Sequence, residues 1–305
     1  MPSLPSLRRP AALLTLVASS FALTACGDDD EPAGPAPQTI TQTAAATASV
    51  STLVTALQAA GLDQTLNGAG PFTVFAPVNS AFTALPADVV TRLLATGNRA
   101  ILTKLLTFHV VPGRLTASQL TNGQTLTTVE GTQLTVTVTG GTVRINGALV
   151  TTADVQASNG VVHLIDGVML GSLDIVDQAI IRGFSTLVTA VQAAGLVDAL
   201  RGGGTAGLTV FAPTNAAFAA IPGGAPTSPT VLSQVLRLHV VGARALSTGL
   251  SNGQQVTSLL GPSLRVGITG TTIRITGPAN SATVSTADVV AKNGVIHVID
   301  SVLLP

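Results

Sequence analysis

The chain has 305 residues, with 14 basic and 14 acidic side chains, 46% apolar residues, 9% charged residues and 3% aromatic residues. So few charges, with no basic stripe, exclude the electrostatic surface that nucleic acid requires, and the absence of Trp and Tyr removes the usual stacking platforms for bases and sugar rings. Such a composition forms compact apolar cores beneath a weakly charged surface.

The first element in chain order is a leader. Arg8-Arg9 precede an apolar run from Ala11 to Leu23, and the run ends in small residues before Cys26, the chain's single cysteine. A basic start, an apolar stretch too short to span a bilayer and small residues at its end predict a secretory signal over 1–25. Leu23-Thr24-Ala25-Cys26 resembles the lipobox of bacterial lipoproteins. The resemblance implies cleavage after Ala25 and acylation of the Cys26 thiol and the new amine, several chains being needed for lasting attachment. Gly27 in place of Asp resembles outer-membrane sorting in Gram-negative cells. The expected location is therefore the bacterial cell envelope, with a lipid anchor. Removing Arg8 and Arg9 leaves 12 basic and 14 acidic groups, a net charge of about −2. Residues 26–37, with Asp28-Asp29-Asp30-Glu31 followed by three prolines, read as an extended solvated tether.

Beyond the tether the chain repeats itself. Ser51-Thr52-Leu53-Val54-Thr55-Ala56 returns as Ser185-Thr186-Leu187-Val188-Thr189-Ala190, a shift of 134 residues. Phe72-Thr73-Val74-Phe75-Ala76-Pro77 returns as Leu208-Thr209-Val210-Phe211-Ala212-Pro213, and Asn159-Gly160-Val161-Val162-His163 as Asn293-Gly294-Val295-Ile296-His297. Solenoid units repeat every 20 to 50 residues or so, whereas this period is the size of a domain. Two like domains are expected, over 38–170 and 171–305.

Each copy opens with an amphipathic helix on which Leu53, Val54, Leu57 and Ala60 share a face, Ser51 capping the start and Gly61 the exit. Phe72-Thr73-Val74-Phe75 reads as a strand stopped by Pro77, and Asn79 is expected to cap a short helix carrying Ala81 and Phe82. Val89 to Leu94 continues as helix in the first copy only. The second has Pro222, Pro226 and Pro229 in that interval, so its helix cannot continue there. A further helix runs from about Arg99 to His109. Strict alternation over Leu134–Thr139, then Gly140-Gly141, then Val143-Arg144-Ile145, predicts a hairpin with one apolar face. Asn159-Gly160 and Asn293-Gly294 read as turns needing positive φ, and Val161–Ile165, apolar on both faces, as a buried strand. Helices early and strands late give an α+β fold.

Thr-Val-Phe-Ala-Pro-x-Asn-x-Ala-Phe, at Thr73–Phe82 and Thr209–Phe218, is similar to the first signature segment of fasciclin-type domains. Asn-Gly-Val-x-His-x-Ile-Asp, at Asn159–Asp166 and Asn293–Asp300, is similar to the second, and Phe108-His109-Val110-Val111-Pro112-Gly113 resembles the family's Tyr-His segment. The resemblance implies two tandem domains, each a compact seven-stranded β-sandwich or wedge flanked by short helices. It also implies non-catalytic adhesion to matrix, cells or surfaces. The segment's Tyr is replaced by Phe108 and by Leu238, so neither copy carries its phenolic hydroxyl. Phe108, His109, Leu238 and His239 are the candidate adhesion or structural residues, and the expected partner is an extracellular or cell-surface protein or glycan.

The four histidines, His109, His163, His239 and His297, form two matched pairs, each in an apolar setting and without metal-ligand spacing. The expectation is buried imidazoles bonded to backbone groups, with no metal and no cofactor. Asp154, Asp288, Asp166 and Asp300 read as turn or strand-end caps. A hydrolase would need a nucleophile elbow of the Gly-x-Ser-x-Gly type, which the chain lacks, so no catalytic residue is expected. Two alternatives to adhesion remain: binding of an apolar small molecule or lipid, suggested by the apolar composition, and, behind it, a hydrolase, which would require that unseen nucleophile.

Overall fold

Along the two strands of the hairpin, Leu134, Val136 and Ile145 are fully buried while Thr135, Thr137 and Arg144 are exposed. Period-two alternation has turned one side of the sheet inward. The computed structural model describes residues 38–305, and the signal, Cys26 and the tether lie outside these residues. The first copy runs α1 (Ile40–Ala46), α2 (Ser51–Ala60), α3 (Asp63–Asn67), β1 (Phe72–Pro77), α4 (Asn79–Thr83), α5 (Ala87–Leu94), α6 (Arg99–Phe108), β2 (Val110–Pro112), β3 (Thr125–Thr127), β4 (Gln133–Thr139), β5 (Thr142–Ile145), β6 (Ala148–Ala157) and β7 (Gly160–Ile165). The second runs α7 (Ile175–Ile181), α8 (Ser185–Ala193), α9 (Val197–Gly202), β8 (Leu208–Pro213), α10 (Asn215–Ala219), α11 (Pro229–Leu238), β9 (Val240–Val241), β10 (Gln255–Thr257), β11 (Ser263–Thr269), β12 (Thr272–Thr276), β13 (Ser281–Ala291) and β14 (Gly294–Ile299). The helix α5 has no counterpart in the second copy, where Pro229 instead opens α11 at its first position.

Each copy forms one seven-stranded mixed sheet, in the order β2-β1-β7-β6-β5-β4-β3 and its equivalent. Only the β1–β7 and β8–β14 pairs are parallel. The sheet curls until its ends nearly meet. Val129 N donates to Val110 O at 2.8 Å, and Leu259 N to Val240 O at 2.7 Å, beyond the last strand of each copy. The curled walls face each other over one core, holding Phe75, Phe108, Leu134, Val136 and Ile145 in the first copy. A second core lies between the sheet's outer face and the helices, around Leu53, Leu57, Val74, Leu102 and Leu105. The fold is therefore α+β, with two tandem domains built alike.

Three local expectations need correction. Ser51 is the first residue of α2 and makes no cap bond, because its predecessor Val50 takes the cap position. Asn79 does not cap its own helix either. Its Oδ1 accepts from Thr52 N at 3.0 Å and its Nδ2 donates to Ala48 O at 2.9 Å, so it caps α2 from 27 residues downstream. Asn215 does the same for α8 through Thr186 N at 3.1 Å, while Thr214 caps α10. Finally, neither Asn159-Gly160 nor Asn293-Gly294 has positive φ. Glycine is required there by close approach: a Cβ on Gly160 would lie 2.0 Å from Phe72 O, and one on Gly294 2.2 Å from Leu208 O. In these strands positive φ falls instead at Asp154 and Asp288, at 58° and 59°, inside register shifts that bulge β6 and β13.

The helix α7 serves both copies. It occupies the place in the second copy that α1 has in the first, its Ile175 N donating to Asn293 Oδ1 as Ile40 N does to Asn159 Oδ1. At the same time Leu173 and Ile181, both fully buried, belong to the helical core of the first copy. Around its N-terminus Asp177 meets Lys104 at 2.8 Å and Arg201 at 3.1 Å, and Asp174 meets Arg201 at 2.9 Å. Two buried carboxylates against two cations balance in charge and tie α6 to α7 and α9.

Candidate functional site: the histidine-centred frame and its outer edge

His109 ends α6 and His239 ends α11, each 2% exposed. The i−4 carbonyl that closes a helix is within reach of such a ring. His109 Nδ1 lies 2.8 Å from Leu105 O, and Met169 N donates to its Nε2 at 3.0 Å. His239 repeats this with Val235 O at 2.8 Å and Leu303 N at 2.9 Å. The carbonyl must accept and the amide must donate, so Nδ1 carries the proton and the ring is neutral. Burial pushes both imidazoles down to about 4, against a smaller opposing effect from the carbonyl bonds. Each ring pins the end of a helix to the segment leaving the last strand.

The second pair has the opposite tautomer. His163 Nε2 lies 2.8 Å from Leu115 O, while Asp154 N donates to Nδ1 at 3.2 Å. His297 does the same with Ala245 O at 2.9 Å and Asp288 N at 3.3 Å. The rings stack on Phe75 and Phe211, with centroids 5.5 and 5.7 Å apart. The bulges at Asp154 and Asp288 aim their carboxylates at backbone. Asp154 Oδ1 accepts from Ala117 N at 2.8 Å, and Asp288 Oδ1 from Ser247 N at 2.7 Å. Burial pushes the Asp288 carboxyl up, but the Ser247 hydroxyl and amide and the neighbouring His297 outweigh it and hold the group below its ordinary value. Asp166 and Asp300 sit at strand ends, accepting from Leu149 N and Thr283 N.

This arrangement has little acid–base chemistry to offer. Both nitrogens of every histidine are engaged with backbone, and each of these aspartates caps a backbone amide. Among the described residues no group of three or more His, Cys, Asp or Glu could hold a metal ion, and no helix is long and apolar enough to cross a membrane.

Phe108 and Leu238 lie inside the curled sheets, 1% and 0% exposed. Neither they nor the adjacent histidines reach the surface. What the frame presents outward is the edge that follows. Val129 and Leu259, bonded through their amides to the strand just after each histidine, are 45% and 42% exposed. They occupy equivalent positions in the two copies. Nothing in the sequence marks them, because an apolar residue in a turn gives no signal of exposure. The Lys104–Asp177–Arg201 cluster was also not legible, as its members lie far apart in the chain.

Comparison with known proteins agrees with this architecture. The family model described as the fasciclin domain matches residues 48–171 and again 182–305. Protein sll1483 of Synechocystis sp. is 51% identical over 132 residues, which are 43% of this chain and 73% of that protein. Transforming growth factor-beta-induced protein ig-h3 of Sus scrofa is 35% identical over 248 residues, 79% of this chain and 35% of its own length. Periostin of Homo sapiens is 32% identical over 255 residues, 81% of this chain and 30% of its own length. This chain thus spans about a third of each of the two animal relatives. A solved FAS1 domain pair from the insect cell adhesion molecule Fasciclin I covers 82% of this chain and 95% of its own, with 21% identity and a TM-score of 0.40. The chain belongs to the fasciclin domain family and carries two copies of the domain in tandem.

Proposed function

We propose that this protein is a lipid-anchored, non-catalytic adhesion protein of the bacterial cell envelope, its two fasciclin domains contacting an extracellular protein or glycan. The observation that carries the reading is the complete use of the matched histidines and aspartates in holding backbone, together with an apolar residue exposed at the same edge of both copies. Polar groups already bonded to backbone are poor candidates for general acid–base work. A duplicated exposed contact on linked domains suits weak, multivalent attachment, in which the second contact gains from high effective concentration. Val129 and Leu259 are proposed as contact points, with Phe108, His109, Leu238 and His239 holding them in place from within. Cys26 is the proposed anchor.

Two measurements test this. Cys26→Ser should abolish labelling by a fatty-acid analogue and move the protein from membrane to soluble fractions; equal labelling of wild type and variant defeats the anchor. For the contact edge, the Val129→Glu/Leu259→Glu double variant should lose surface adhesion while keeping the wild-type denaturant midpoint. His109→Ala and His239→Ala should lose midpoint first. If the histidine variants lose adhesion at unchanged midpoint while the edge variants adhere normally, the contact lies at the Phe108-His109 segment instead.

A further inference from the structure

The two copies differ in the space between the sheet and the first three helices. In the first copy this space is filled, leaving a cavity of about 10 Å³ beside His109. In the second the equivalent space is a cavity of about 100 Å³ beside His239, and it opens outward between α7, α8 and α9. Matching α7 to α1 through their shared Asn caps places Val176 where the first copy has Thr41, and Ile180 where it has Ala45. In the same way Val197 replaces Asp63 at the start of α9. Thr41, Ala45 and Asp63 border a separate shallow groove in the first copy. In the second, groove and cavity have merged, and valine stands in place of both the threonine and the aspartate at the mouth. Within, Val191 stands for Leu57, which is a methylene larger.

The lining offers no free hydrogen-bonding group at depth. His239 has both nitrogens engaged. The Arg201 guanidinium at the mouth is held by Asp174 and Asp177. Gln192 is exposed at the rim. Water needs two to four polar partners to occupy such a space, so the cavity is dry. It is also smaller than the roughly 150 Å³ that admits benzene. A slender chain entering through the mouth fits it better than a ring. Ile180, Val188 and Val197 are only partly buried, so an entering chain would cover apolar surface that now faces water.

We propose that the second fasciclin domain binds an unbranched alkyl chain, its end in the cavity beside His239 and its stem along the mouth formed by Val176, Ile180 and Val197. Lys104 and Arg201 together balance Asp174 and Asp177, which leaves no net charge to recruit an ionic head, so an uncharged chain is the ligand. The first domain, whose inner space is filled and whose groove stays separate from it, does not bind one. The site is independent of the adhesive edge.

The test is a titration of the full chain carrying Cys26→Ser with 1-octanol, followed by methyl NMR. Methyl resonances of Val176, Ile180, Val191 and Leu236 should shift saturably, while those of Leu53, Leu57 and Leu106 in the first domain stay put. Sodium octanoate should bind less tightly than the alcohol. The Val176→Thr/Ile180→Ala/Val197→Asp variant carries the first domain's own residues at the mouth and should weaken octanol binding at least tenfold. Val191→Leu, which partly fills the cavity, should weaken it also without disturbing the mouth. Absence of saturable shifts in the wild type overturns the proposal whatever the variants do. So do equal shifts in both domains, or equal affinity of wild type and Val191→Leu.

Discussion

A buried imidazole that must stay neutral makes stability depend on pH in a fixed direction. Folded, His109 and His239 remain unprotonated down to about pH 4. Unfolded, each takes up a proton near 6.5. Between these values the unfolded chain binds more protons, so acid favours unfolding; the stabilisation is complete above pH 6.5 and is lost as pH falls towards 4. The loss is on the order of 3 kcal/mol for each ring, from the gap between the two values. Urea midpoints measured at steps from pH 7.5 to 4 should fall across that window for each domain, and the slope should flatten for the first domain in His109→Gln and for the second in His239→Gln. An unchanged slope in both variants would show that carboxylates alone govern acid unfolding. At neutral pH the same geometry makes alanine costly. His109→Ala leaves Leu105 O and Met169 N without their partner and opens a gap, so a loss of about 1–3 kcal/mol is expected before any cavity effect. His239→Ala should cost a similar amount, and the double variant the sum, because the sites lie in different domains.

Some helix starts in this fold are held from a distance, by side chains on later elements. Asn79 belongs to α4 but satisfies the N-terminus of α2, and Asn159 joins the turn before β7 to Ile40 N and, through its Nδ2, to Leu66 O at 2.6 Å. Asn79→Ala should therefore destabilise α2 although the residue lies outside it, by about 1–2 kcal/mol, the usual cost of losing a cap. Hydrogen exchange would locate the effect: protection should fall in 51–60 before it falls in 79–83, and the reverse order would return Asn79 to its own helix. The same example marks how far the sequence could be read. Strands β4, β5 and β7 and helices α2 and α6 followed from periodicity, because alternation and helical spacing are properties of neighbours. The break in helix after Ile221 followed from proline. The partner of an Asn side chain does not follow, since it depends on which loop folds over which helix end. Likewise Gly160 signals itself in sequence as a turn residue, whereas its real constraint is the backbone of β1 pressed against its α-carbon. The buried histidines were foreseeable from their apolar neighbours; their opposite tautomers were not, because these depend on distant carbonyls and amides.

Two domains that share a helix cannot be wholly independent, and this bears on where the chain can be cut. The proposed boundary, 38–170 and 171–305, gives α7 to the second domain, where it stands in the place of α1. The second fragment keeps its helical core, its Asn293 cap and the pairing of Arg201 with Asp174 and Asp177. It should unfold in one cooperative step close to its behaviour in the whole chain. The first fragment is worse placed. It loses Leu173 and Ile181, both fully buried against its helices, and Lys104 loses both carboxylates. Burying one large aliphatic side chain is worth about 1.5–3 kcal/mol, so the fragment should be about 3–6 kcal/mol less stable than the same domain in the pair. A large share of a typical domain's stability would thus come from its neighbour. Extending the fragment to residue 183 should restore most of it by returning α7. In the full chain Ile181→Ala should lower the first domain's transition more than the second's, although the residue lies in the second. Equal midpoints for 38–170 and 38–183, with no effect of Ile181→Ala on the first domain, would mean that α7 merely rests against its neighbour. In that case the two domains could turn freely about Gly171, and the spacing of Val129 and Leu259 on a surface would be set by the partner. If α7 does hold the first domain, that spacing is built into the pair, and a ligand array of matching spacing should bind the pair more tightly than either domain by more than linkage through a flexible tether provides.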